Sequence, residues 1–200
     1  MYDSLMSTYT PEQHRQAPSW VVYEVKMLLD SSRVEKRGAD EMGTANPVDL
    51  EYWRAVRTCG LESFLVHYRN LKEFLNNLKF PTDVKAVDYV PAWTGNSKVT
   101  PTYSNEDERI NQLLAHITYK RADYDIGNWD VAKMEQNLCD ALSRFIEKVG
   151  KTEYATLFER VPPLLTARHP RLVVSTSSTD GNSTATVTTA PSSWWDSIKR

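Results

Sequence analysis

Arg109 and His116 stand seven residues apart in the stretch Arg109-Ile110-Asn111-Gln112-Leu113-Leu114-Ala115-His116. On a helix, a seven-residue interval returns to within about 20° of its starting direction, so both side chains project from one edge. Lys120 continues that edge. A guanidinium grips phosphate through paired N–H groups, and an imidazole moves a proton near neutral pH. Cleavage of RNA by its own neighbouring 2′-hydroxyl needs those two functions and no metal. The same residues equally describe a solvated basic edge, with His116 bonded to a carbonyl.

A second polar set lies in Glu62-Ser63-Phe64-Leu65-Val66-His67-Tyr68-Arg69-Asn70-Leu71-Lys72-Glu73-Phe74-Leu75. Glu62, Arg69 and Glu73 share one line at helical spacing and read as an ion-pair ladder beside a core. His67 falls at the other edge of the apolar stripe with Ser63, Asn70 and Phe74. His67 and Asn70 are therefore the candidate binding residues of a polar pocket that faces Arg109 and His116. The plainer reading makes them polar residues bordering the core.

Other chemistries lack their signatures. The four histidines, His14, His67, His116 and His169, never occur in pairs one helical turn apart. With no HExxH, CxxC or clustered carboxylates, no metal site is expected. The glycine-rich phosphate loops and the G-x-S-x-G elbow are absent too, so no cofactor is called for. A net charge of −2 offers no basic surplus for nucleic acid. No apolar run is long enough to span a membrane, and no leader pattern opens the chain. Cys59 and Cys139 read as reduced thiols of a cytoplasmic protein rather than as a disulfide.

The elements that must carry these residues are helical. A first helix is expected over 19–33, capped by Ser19, with Val21, Val25, Leu28 and Ser32 at helical spacing. Residues 38–46 read as a loop. Asn46, Pro47 and Asp49 open a second helix that runs through Trp53, Leu61, Phe64, Leu65, Tyr68, Leu71 and Leu75 to Leu78, where Pro81 stops it. Gly60 marks a kink or a break inside it. Residues 81–103 form a long connection anchored by Tyr89 and Trp93. A third helix begins at Ser104, with Ser104 and Asp107 as a capping box, and buries Ile110, Leu113, Leu114, Ile117 and the stem of Arg121. Residues 125–128 turn. A fourth helix over 130–149 carries the cleanest stripe, Val131, Met134, Leu138, Ala141, Leu142, Phe145 and Val149, and ends at Gly150. A short helix over 152–160 precedes Pro162-Pro163. Ser and Thr dominate from Arg171, either disordered or as a marginal hairpin across Asp180-Gly181. The fold class is all-α: a bundle of four main helices with a long connection before the third. It divides into an irregular segment 1–17, a helical domain 18–165 and a polar tail 166–200.

Arg109 and His116 on one helix of such a bundle resemble the R-x4-6-H motif of the HEPN superfamily, metal-independent ribonucleases that are commonly dimers of defence and toxin–antitoxin systems. The stretches H-Y-R-N-L-K-E-F-L and I-N-Q-L-L-A-H-I-T are also similar to a widespread bacterial all-helical family, over about residues 50–150. The resemblance implies RNA as substrate, Arg109 on phosphate and His116 as general base or acid. Ile110 departs from the pattern, which places a polar residue directly after the arginine. The alternative is a non-enzymatic helical module that holds a protein partner, or a second copy, through Trp53, Trp93 or Trp194-Trp195.

Overall fold

The computed structural model describes residues 10–77, 83–93, 99–114 and 129–167. Among them are five α-helices and no strand: α1 (Pro11–Met42), α2 (Pro47–Asn76), α3 (Glu106–Leu114), α4 (Val131–Val149) and α5 (Val161–Ala167). The fold is all-α. None of these helices is long and apolar enough to cross a membrane. The Ser/Thr-rich segment, Trp194-Trp195, His116, Lys120 and the expected turn at 125–128 lie outside the described residues.

The first helix is much longer than its periodicity suggests. Residues 11–17, expected to be irregular, are helical, and Ser19 is not a cap. The start lies at Thr10, whose hydroxyl accepts from Gln13 N–H while the Gln13 side chain accepts from Thr10 N–H, with Pro11 in the first helical position. Pro18 sits inside the helix and cannot donate to the carbonyl of His14. The Tyr89 hydroxyl supplies that bond instead, at 3.0 Å. A residue of the connection thus makes an internal proline tolerable.

At its other end α1 continues to Met42, through the segment expected to be a loop. Gly38 does not end the helix there. It lies where α2 passes, and a Cβ on it would sit 2.7 Å from the backbone nitrogen of Arg57. Gly60 has the reciprocal role: its Cβ would meet Glu35 N at 2.5 Å. Gly60 is therefore neither a kink nor a break, since α2 runs unbroken across it. Two glycines let the antiparallel helices approach backbone to backbone. Ser31 and Ser63 bond across the seam at 2.7 Å, and Arg57 Nε pairs with Glu35 Oε1 at 2.9 Å.

α2 starts as expected, Asn46 Oδ1 accepting from Val48 and Asp49 N–H, and ends at Asn77 in the left-handed region. The connection is anchored by Tyr89 and Trp93, both buried, with Trp93 Nε1 donating to the Leu75 carbonyl at 2.5 Å. The start of α3 differs from expectation. Asn105, with φ 58°, precedes it, and Ser104 does not cap it. Asp130 caps α4, whose whole expected stripe is buried. Phe145 stands at the centre of the core, with ring centroids 5.2 Å from Phe74, 5.6 Å from Trp93 and 5.1 Å from Phe158. Ala155–Phe158 is a 3-10 turn, and Pro162 and Pro163 lie in the first turn of α5 instead of ending a helix before it. Cys59 is exposed and Cys139 buried, both as thiols.

Candidate functional site

α2 distributes its polar side chains to two neighbours. His67 and Asn70 face α1, where both meet one carboxylate oxygen of Glu24. His67 Nδ1 lies 2.7 Å from Glu24 Oε2, and Asn70 Nδ2 donates to the same atom at 3.2 Å. The Tyr23 ring stands edge-on to His67, centroids 6.0 Å apart. Glu24 fixes the imidazole orientation, as a carboxylate does in a proton-transfer dyad. No hydroxyl or thiol nucleophile bonds to this histidine among the described residues, so the cluster works as a polar pin between α1 and α2.

Arg69, two residues on and so roughly 160° around the helix, faces α3 instead and donates to Asn111 Oδ1 at 3.2 Å. The structure therefore brings His67 and Asn70 together through Glu24 but does not set them opposite Arg109. Arg109 lies in the corner formed by two aromatic rings. Its guanidinium carbon lies 4.3 Å from the Tyr103 ring centroid and 4.6 Å from that of Trp129. Tyr103 and Trp129 meet edge to face at 5.6 Å, and the Tyr103 hydroxyl accepts from Asp130 N–H. Arg109 thus ties the start of α3 to the segment entering α4. His116 and Lys120 lie outside the described residues.

A buried ionic cluster joins α2 to α3. The Lys72 and Glu106 side chains are only 5% and 1% exposed and pair at 2.7 Å. Glu106 Oε1 also accepts from the Tyr68 hydroxyl at 2.9 Å, and Oε2 from Thr102 N–H at 2.7 Å. Asp107 gives Lys72 a second carboxylate at 2.8 Å. Burial, and then the Glu106 carboxylate, push the Tyr68 phenol well above its ordinary range. Periodicity carried this signal: Lys72 follows Leu71, lies one turn after Tyr68 and three residues before Leu75, inside the buried arc of α2.

The largest unassigned feature is apolar. Trp20, Tyr23, Met27 and Val34 fall within an arc of about 60° on α1, and Trp20 and Tyr23 are 56% and 53% exposed. On α2, Val48, Tyr52, Cys59 and Val66 form a second exposed line within about 40°. In both helices the seam residues (Ser31 and Glu35; Gly60 and Ser63) lie between the core arc and this exposed arc. The two lines therefore share the side of the hairpin turned away from the core. A helix with apolar residues on two opposed arcs signals a second contact, a pattern legible in the sequence that core-directed periodicity passes over. Of the tryptophans considered for partner binding, Trp93 is buried and unavailable, while Trp53 is half-buried with Arg37 5.7 Å above its ring.

Among the described residues no three His, Cys, Asp or Glu side chains gather as a metal site. Comparison with protein-family models, with curated proteins and with solved structures finds no match to this chain.

Proposed function

We propose that this protein is a helical interaction module that associates with a second copy of itself through the outer face of the α1–α2 hairpin. The observation that carries the reading is the exposed aromatic line of Trp20, Tyr23 and Tyr52, flanked by Val34 and Val66. An aromatic residue can bury about 150–250 Å². Three half-exposed ones thus leave on the order of 300 Å² of apolar surface, the core of a standard interface of about 800 Å² per partner. A patch of this size is comparable with the largest on a typical monomer, and such patches are often functional.

Charge order along α1 selects the second copy as occupant. Lys26, Asp30, Arg33 and Arg37 lie on the same exposed side as Tyr23 and Val34. Within one chain Lys26 and Arg33 already pair with Asp30, at 2.7 and 3.0 Å, and a two-fold axis beside residue 28 brings this cluster against the same cluster of the second copy, with Tyr23 against Arg33 and Val34 and Trp20 against Arg37. Acid meets base and cation meets aromatic face, in the self-complementary manner a two-fold contact requires.

The axis is testable by cysteine trapping in a Cys59→Ser background. Met27→Cys sits next to the axis and should form an intermolecular disulfide under mild oxidation. Lys133→Cys, exposed on α4, should not. Equal cross-linking at the two positions contradicts the reading.

A second reading keeps Arg109 and His116 as the pair of a HEPN-like ribonuclease, with Arg109 on phosphate and His116 as general base or acid. Its support is that the Tyr103 and Trp129 rings hold in place a guanidinium, the group that grips phosphate through paired N–H groups. Asp107 and Glu108, exposed in the first turn of the same helix, weigh against an RNA backbone there. Labelled single-stranded RNA, incubated with the protein in EDTA beside a His116→Ala variant, separates the readings. Cleavage that persists without metal and disappears in the variant establishes the nuclease. No cleavage, or equal cleavage by both, removes it.

A further inference from the structure

A cavity of about 230 Å³ lies between the first turns of α1 and the connection that follows α2, lined by Gln13, His14, Ala17, Trp20, Val84, Asp88 and Tyr89. We propose that it is a binding site for a small aromatic ammonium compound: one planar ring carrying a protonated amine on a short chain.

Size sets the first limit. Benzene fits an apolar cavity of about 150 Å³, so this one has room for a single ring and a short substituent. The walls set the second. Ala17, Val84, Trp20 and Tyr89 offer apolar and aromatic surface. The His14 ring is fixed by stacking on Tyr89 at 4.5 Å and by Tyr154 edge-on at 5.2 Å. Tyr89 is itself locked, since its hydroxyl is committed to the carbonyl left open by Pro18. The ring-binding wall is therefore built before any ligand arrives, which lowers the ordering cost of binding.

Charge sets the third limit. Asp88 is the one carboxylate in the lining. Its Oδ2 accepts from Lys85 N–H at 2.8 Å, which holds the side chain in place. Gln13 Oε1 is likewise committed to the α1 cap. A cation beside Asp88, with its organic body against Trp20 and Tyr89, meets both a carboxylate and the negative faces of aromatic rings. An anion of the same shape meets the carboxylate with like charge. This site shares Trp20 with the outer face of the hairpin, but its carboxylate, Asp88, lies on the connection, so the Asp88→Asn variant reads ligand binding separately from self-association.

A matched series tests it: 2-phenylethylamine, 2-phenylethanol and phenylacetate, titrated calorimetrically and by saturation-transfer NMR against the full chain at pH 8. The amine should bind at least fivefold more tightly than the alcohol, and phenylacetate most weakly. Asp88→Asn keeps an oxygen for Lys85 N–H and should reduce the amine to the affinity of the alcohol. Ala17→Leu should abolish both by filling the space. Absence of amine binding at millimolar concentration overturns the proposal. So does equal affinity for amine and alcohol, or an Asp88→Asn variant that binds the amine as the wild type does.

Discussion

Lys72 and Glu106 decide more than any other pair at the scale of single residues. Each is a charge almost entirely removed from water, tolerable only because the other is there. Lys72→Met leaves Glu106 charged and buried, with only Tyr68 and Thr102 as donors. It should lose about 3 kcal/mol in urea unfolding. Adding Glu106→Gln, whose oxygen can accept from Thr102 N–H while its NH2 donates to the Tyr68 hydroxyl oxygen, should recover at least about 1 kcal/mol of that loss. A double variant no more stable than Lys72→Met contradicts the charge argument. Tyr68 gives the cluster a pH signature. Its phenol keeps its proton in the folded state to higher pH than in the unfolded chain, whose ordinary value is 10.0. Stability from that group is therefore complete below about pH 10 and declines as pH rises through and beyond it, since the unfolded state then releases the proton first. In Tyr68→Phe the alkaline limb of stability against pH should be shallower than in wild type, and an identical limb would count against the assignment. The burial of Lys72 was written in the periodicity of α2, though the core-directed stripe of apolar residues passes over it. The sequence did not expose Glu106, because the partner of a buried charge is a tertiary fact.

Helix boundaries were legible where a local device sets them and lost where packing does. Asn46-Pro47 and Asp130 each act through their own or adjacent backbone and lie where their residue types predict, and Gly150 ends α4 at the expected place but in the right-handed region, with φ −59°. Thr10-Pro11-Glu12-Gln13 is an equally local start signal, but Pro18 and Ser19 compete with it and read as a later start. The competition is resolved only by Tyr89, far along the chain, which donates to the His14 carbonyl. Gly38 and Gly60 mislead in the same way: alone each suggests an end or a kink, and together they form a close crossing. In an isolated helix Gly→Ala is stabilising by about 1 kcal/mol. Here Gly60→Ala places a methyl group against the Glu35 backbone and should instead cost at least about 2 kcal/mol in thermal or urea unfolding. A stabilised Gly60→Ala variant would refute the crossing. Tyr89→Phe should lose about 1 kcal/mol, the scale of an unmade hydrogen bond, and its absence in a Pro18→Ala background would tie the effect to the carbonyl that proline leaves open.

For the molecule as a whole, the all-α class was plain because α4 and most of α2 follow a single core-directed period. The site was less legible. Arg109 and His116 draw attention as a motif, yet Arg109 lies in the corner formed by the Tyr103 and Trp129 rings and directly follows a run of acidic residues. The surface that dominates the described molecule carries no motif at all. Trp20, Tyr23 and Met27 already line up on the helix expected over 19–33, Val34 joins them because α1 runs on to Met42, and they meet Tyr52 and Val66 only once the hairpin seam is placed. That face is the one proposed to meet a second copy. Sedimentation equilibrium over a concentration series measures this directly, using wild type and Tyr23→Asp, a substitution at an exposed position that leaves the core intact. The wild type should approach twice the chain mass of 22.9 kDa as concentration rises, and Tyr23→Asp should stay at the single-chain mass with an unchanged helical spectrum. A wild type that remains at the single-chain mass throughout, or a Tyr23→Asp variant that assembles as well as the wild type, contradicts it.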